Sequence, residues 1–222
     1  MKGKLIIIEG SDGSGKETQT NLLYNYLKEK NVSSMKITFP DYSSRSSEPV
    51  KMYLSGEFGK NPNDVNAFAA SSFYAIDRYA SYKTKWGKFY NDGGIVISDR
   101  YTTSNMVHQA SKIKDKKDKD YFLDWLYDFE FNKIGLPLPD MVFFLKVPTE
   151  FSLDIIKNRK DSYKGNIKKD IHETNTEYLK DTYENSLYVA EKYNWNIIEC
   201  VKNNYMRTIE DINSEIIKKI LL

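Results

Sequence analysis

Five short apolar runs punctuate this chain: Leu5–Ile8, Ser34–Phe39, Gly94–Ser98, Met141–Val147 and Asn196–Val201. Each is too short for a helix and rich enough in β-branched and aromatic residues to read as a buried strand. Helical patterns fill the intervals. Alternation of this kind predicts a three-layer α/β architecture, a five-stranded parallel sheet with helices on both faces. The third strand follows an Asn91-Asp92-Gly93-Gly94 turn, and the fourth follows Pro137-Leu138-Pro139-Asp140. A first helix is expected over about residues 17–30, and a long one over about residues 62–90. Lys112–Lys119 reads as a solvated loop or helix end. Residues 157–172 form a second polar stretch, with no apolar stripe and with Gly165 inside it. That segment is expected to be mobile and to act as a lid, with a surface loop of no role as the competing reading.

The first strand runs into Gly10-Ser11-Asp12-Gly13-Ser14-Gly15-Lys16-Glu17-Thr18. Gly-x-x-x-x-Gly-Lys between a strand and a helix is a phosphate-binding loop: its backbone N–H groups converge on phosphate oxygens and the lysine adds a point charge. The helix that follows aims its positive end at the same anion. A ligand-free glycine turn is the alternative, and the agreement of strand, loop, lysine and helix argues against it. The position after Lys16 departs from the pattern: Glu17 stands where a hydroxyl that ligates magnesium is usual, and Thr18 comes one residue later.

At 222 residues the chain fits one α/β domain over residues 1–222, the lid included. Its net charge of +2 argues against a protein that coats nucleic acid. No apolar stretch approaches the ~20 residues of a membrane span. The first strand lies almost at Met1, so no leader is expected. The single cysteine, Cys200, lies in an apolar run and reads as a packed core thiol. A cytoplasmic setting follows by default. Only five of the 33 basic residues are arginine: Arg45, Arg78, Arg100, Arg159 and Arg207. Arginines are expected where a planar, bidentate fork is wanted.

Asp99-Arg100-Tyr101 ends the third strand. In open α/β sheets, ligands bind outside the carboxyl ends of the strands. Asp99 there can hold magnesium or its water, and Arg100 can grip a phosphate with two hydrogen bonds. Tyr74 and Arg78, four apart on the long helix, share a face. They can stack a base and donate to its carbonyl. By spacing alone, a core aromatic and a salt-bridged arginine explain them better.

Taken together, Glu9-Gly-Ser-Asp12-Gly-Ser-Gly-Lys16, Phe39-Pro-Asp-Tyr42, Tyr74-Ala-Ile-Asp-Arg78, Asp99-Arg-Tyr101 with Ser104-Asn105, and Pro139-Asp140 ahead of the fourth strand resemble the thymidylate kinases. These are P-loop nucleoside monophosphate kinases. The pieces occur in the family's order and cover nearly the whole chain. The resemblance implies a P-loop NTPase fold, ATP and deoxythymidylate (dTMP) as substrates, Mg2+ as cofactor and a homodimer. It implies that Asp12 approaches the deoxyribose 3′-hydroxyl and the metal, and that Tyr74 stacks on thymine. It has Arg78 donate to thymine O4, Arg100 hold the acceptor phosphate, Asp99 organise magnesium and Asn105 reach the base edge. His108, or Gln109 beside it, falls where a residue near C2′ helps exclude ribonucleotides. Tyr42 joins the acceptor site. With no arginine in the phosphate loop, Arg159 is expected to cover the donor phosphates from the lid, and Arg45 is the fallback. The helix around Phe73–Tyr90, with Tyr82, Trp86 and Phe89, is the candidate dimer face, unless those side chains are core. Other nucleotide kinases, or a catalytically weak nucleotide-binding protein kept open by Glu17, are the alternatives.

Overall fold

The computed structural model describes residues 2–153, 155 and 176–221. Five parallel strands form the central sheet: β1 (Lys4–Gly10), β2 (Ser34–Thr38), β3 (Ile95–Asp99), β4 (Met141–Lys146) and β5 (Asn196–Glu199). Their order is β2-β3-β1-β4-β5. The chain leaves β1, crosses to the edge at β2, returns at β3, and continues on the other side of β1 with β4. The order therefore reverses about β1, which opens a crevice at its carboxyl end. The register sets Ile8 opposite Asp99 and Gly10 opposite Leu145, so Asp99 stands beside the start of the loop that follows β1.

Burial explains the continuous apolar runs. Side chains alternate between the two faces of a strand, and both faces here are covered. Ile6 and Ile8 pack with Ile97, Phe143 and Leu145 under α1 (Lys16–Glu29) and the C-terminal helix Ile209–Leu221. Leu5 and Ile7 pack on the opposite face with Val96, Trp86, Tyr90 and Tyr101. All four β1 side chains are fully buried, each stabilising the fold by roughly 1.5–3 kcal/mol. Cys200 lies in the first of these clusters, and burial pushes its thiol up to about 12.

Several expectations resolve in detail. The long helix starts at Ala67, not near Pro62, because the Asn66 side chain accepts from Ala69 N at 2.9 Å and caps it. Pro62–Asp64 is a separate 3₁₀ turn, closed by reciprocal bonds between Asn61 and Asp64. The helix Ala67–Ser81 passes through a π-turn, Tyr82–Trp86, into a last segment, Gly87–Asn91. Trp86 is wholly buried, with Tyr82 and Phe89 packed against its cluster, so these aromatics are core. The exposed apolar residues of this helix are Ile76 and Tyr79. Lys112 is not solvated: its ammonium donates to Tyr53 Oη at 2.9 Å and to the Val65 carbonyl at 3.0 Å. Residues 116–127, within the charged run and beyond it, form a helix (Lys116–Tyr127) whose N-cap Asp115 accepts from Lys117 N and Asp118 N. A small hairpin, Val201–Lys202 with Tyr205–Met206, also appears; Asn203 and Asn204 take the left-handed backbone its two-residue turn requires. The expected lid, residues 157–172 with Arg159, lies outside the described residues. Among the described residues no helix is long and apolar enough to cross a membrane.

Candidate active site

The loop after β1 owes its shape to glycine at two points. A side chain at Gly10 would meet Ser14 Oγ at 2.5 Å and the Leu145 carbonyl at 3.0 Å. Gly15 caps α1 with φ 85°, a left-handed conformation, and offers no side chain to the first turn. The opening N–H groups of α1 are thus left for an anion. The buried hydroxyls of Ser11 and Ser14 have no partner among the described residues, and phosphate oxygens would satisfy them. Lys16 is buried and folds back over the loop, donating to the Ser11 carbonyl at 2.7 Å. Burial, and then the neighbouring Arg100 charge, lower its affinity for the proton.

Arg100 adopts φ 67°, unusual for a residue with a side chain. The strain is held by its own N–H donating to Ile8 O at 3.2 Å and by Ser98 Oγ donating to its carbonyl at 2.5 Å. This turn throws the guanidinium across the crevice. One terminal nitrogen pairs with Asp12 of the loop; the other meets Ser104 Oγ at 3.3 Å and His108 Nε2 at 3.2 Å. A guanidinium only donates, so in this contact His108 Nε2 is the acceptor. Burial by itself would lower Arg100, but Asp12, Glu9 and Asp99 outweigh it and hold the guanidinium above its ordinary value.

Behind Arg100 lies Glu9, fully buried, which sequence reasoning quoted but gave no role. It accepts from Thr103 Oγ1 and Ser104 Oγ, each at 2.7 Å, and lies 3.9 Å from Arg100 Nη1. Its separation from these partners by more than ninety residues hides it from any local motif.

Asp99 fits a metal. Its Oδ1 is buried with no hydrogen-bond partner among the described residues. Burial holds the carboxyl above its usual value, although Lys16 and Arg100 pull it down. An orphaned carboxylate oxygen beside a phosphate cradle suits Mg2+ or its water, which usually takes one or two carboxylates plus substrate phosphates. Among the described residues no cluster of three or more His, Cys, Asp or Glu could hold a metal by itself. Asp12 is placed differently. It is paired with Arg100 and lies 4.0 Å from Lys16 Nζ, so its charge is already countered and this geometry lends a metal at Asp12 no support. Glu17 and Thr18 are exposed at the cavity edge.

Asp12, Ser14, Lys16, Glu17, Thr18, Asp99 and Arg100 line one cavity of about 570 Å³. Its far wall carries Tyr74, Arg78, Asn105, His108 and Gln109, and Tyr42 stands at its mouth, 55 % exposed. Tyr74 meets Tyr53 edge-on, ring centres 6.5 Å apart. Asn105 is buried and donates to the Ser71 carbonyl at 3.3 Å. Arg78 both lines the cavity and is salt-bridged, to Glu130, so the two readings of its spacing are compatible. Asp77, next to it, holds the loop after β2: it accepts from Asp41 N at 2.8 Å and Ser46 Oγ at 2.6 Å. Arg45 is exposed and is not part of the cavity wall. A third wall, Met206, Arg207, Ile209 and Ile212, comes from the hairpin and the helix after it, which no motif announced.

Comparison with known proteins gives the family and the fold. The family model described as "Thymidylate kinase" matches residues 8–214. A thymidylate kinase of Plasmodium falciparum is 29 % identical over 220 residues, 99 % of this chain and 90 % of that protein. One from Buchnera aphidicola subsp. Baizongia pistaciae is 34 % identical over 161 residues, 72 % of each. A solved thymidylate kinase structure from Candida albicans superposes with a TM-score of 0.71 at 24 % identity, covering 99 % of this chain and 92 % of that one.

Proposed function

Because the chain belongs to the thymidylate kinase family, we propose how its cavity carries out the family's reaction. The enzyme is a phosphotransferase: the γ-phosphoryl group of ATP passes to the 5′-phosphate of dTMP, giving ADP and deoxythymidine diphosphate. Such a transfer needs no covalent help from the protein. It needs two anions aligned, neutralised and shielded from water.

In our reading the donor phosphates take the loop from Gly10 to Thr18, with Lys16 and the start of α1 supplying positive charge. The acceptor phosphate takes Arg100, whose fork must turn from Asp12 towards the incoming oxygens. Asp12, released, receives the deoxyribose 3′-hydroxyl. Tyr74 stacks on thymine, Arg78 donates to its 4-carbonyl, and Asn105 and Tyr42 bound the base and its entry. His108 lies against the sugar. Asp99 would hold Mg2+ or its water, and the bound ion would offset the negative charge that develops during transfer. Arg159 covers the donor phosphates from a lid at residues 157–172, within a chain that works as one domain in the cytoplasm. A homodimer would use the exposed Ile76 and Tyr79 face.

One observation carries this reading: a single cavity joins Lys16 and an uncapped helix start to the Tyr74 and Arg78 wall, with Arg100 bonded to both sides. The test is ADP release with and without a panel of monophosphate acceptors. Turnover that depends on dTMP, and exceeds that with deoxycytidylate (dCMP), is expected. ADP release indifferent to acceptor would refute it.

A further inference from the structure

Arg78 is 1 % exposed and Glu130 is 0 % exposed. The fork closes on the carboxylate twice: Nε donates to Oε2 at 2.7 Å and Nη2 to Oε1 at 2.5 Å. Thr102 Oγ1 donates to the same Oε2 at 2.7 Å. Glu130 reaches this place on a π-turn, Asp128–Lys133, that follows Lys116–Tyr127. Turns of this width are rare and concentrate at functional sites.

A buried ion pair is a poor device for stability, since apolar residues of similar volume usually do as well. The pair therefore asks for another reason, and its geometry supplies one. A guanidinium carries five N–H donors in a rigid plane. Glu130 takes two of them, which sets both the position and the tilt of the plane. A third, on Nη1, points to the Tyr101 carbonyl at 3.4 Å. The remaining two lie on the terminal nitrogens of a residue that lines the cavity beside Tyr74. Thr102 in turn fixes the carboxylate.

We infer that Glu130 is a positioning residue for acceptor specificity, holding Arg78 so that the cavity presents fixed donors with their charge already countered. A base with a carbonyl at that edge is satisfied. A base with an exocyclic amine there sets donor against donor and leaves buried groups unpaired. A loosely held arginine would turn aside and lose that distinction. The inference deepens the reading of Arg78 as the residue that meets the thymine carbonyl, and rests on it.

The test is Glu130→Gln, which keeps volume but turns an amide towards the arginine donors. kcat/KM for dTMP is expected to fall about tenfold, mostly through KM, while that for dCMP changes by less than about threefold. KM for ATP stays put. Adding Glu130→Gln to Arg78→Ala should narrow the dTMP-to-dCMP ratio no further, because Glu130 acts only through Arg78. A merely structural role would lower both acceptors equally, leave the ratio unchanged, and overturn the inference. If Glu130→Gln does not fold, Thr102→Val answers instead: it removes one bond to Oε2 and leaves the charges, and about threefold narrowing of the ratio is expected. No narrowing overturns the inference. Arg78→Ala separates the two claims: an unchanged ratio there refutes the base reading itself, whereas a narrowed ratio with no effect of Glu130→Gln refutes only the role of Glu130.

Discussion

Replacing Arg100 with lysine tests the acceptor site with the least collateral change. Both residues have a Cβ, so the left-handed backbone at φ 67° carries the same strain in either. Both keep a positive charge, so Asp12 and the buried Glu9 retain a counterion. What lysine cannot do is span. The guanidinium reaches Asp12 with one terminal nitrogen, and Ser104 and His108 with the other. An ammonium is a single point on a flexible stem and cannot hold two separated oxygens in a plane. The variant therefore loses about one charge-assisted hydrogen bond to the acceptor phosphate, worth roughly 1.5–3 kcal/mol. That converts to roughly a 10- to 100-fold loss in kcat/KM for dTMP. The assay is initial rate against dTMP at saturating ATP, beside ATP affinity measured directly. ATP affinity should move by less than about threefold, because Lys16 and the helix start hold the donor. Should ATP affinity fall while kcat/KM for dTMP holds, Arg100 belongs to the donor side and the reasoning fails.

Lys16→Ala removes the only cation within the phosphate loop, and turnover should drop by about 100-fold or more, a loss of ~3 kcal/mol in transition-state stabilisation; turnover within tenfold of the parent would remove Lys16 from the reaction. Arg159→Ala should lower kcat strongly and leave both substrate affinities within a few-fold, as expected for a contact made chiefly in the transition state; full kcat would end the lid assignment. Lys112 should make stability depend on pH, since burial lowers its pKa to about 7 from 10.5. Between those values the unfolded chain binds the extra proton, so stability rises with pH, by at most about 1.4 kcal/mol per pH unit. Thermal unfolding of the parent at pH 7 and pH 9, set against Lys112→Met, should show a rise in Tm that the variant lacks; parallel pH profiles would refute it.

What the sequence determined by itself is whatever neighbours along the chain decide. Strands buried on both faces announce themselves as unbroken apolar runs, and five of them separated by helical patterns already define the parallel sheet. The phosphate loop was legible because Gly10, Gly15 and Lys16 act through backbone a few residues away. Asp99 and Arg100 were legible because a strand's carboxyl end has a known relation to a ligand crevice. Boundaries slipped where a cap outcompeted the pattern, as Asn66 did at the start of the long helix. The tertiary structure decided the rest, because contact between residues far apart depends on register and on which face of a helix turns inward. Spacing left Arg78 divided between base and salt bridge; only the packed π-turn brings Glu130 to one side of it and the cavity to the other. The pairing of Asp12 with Arg100, 88 residues on, is likewise a product of the fold. Trp86 looked equally fit for an interface or a core until the sheet covered it. The hairpin that carries Met206 to the cavity rests on two asparagines in left-handed conformation, too short a signal to stand out in 222 residues.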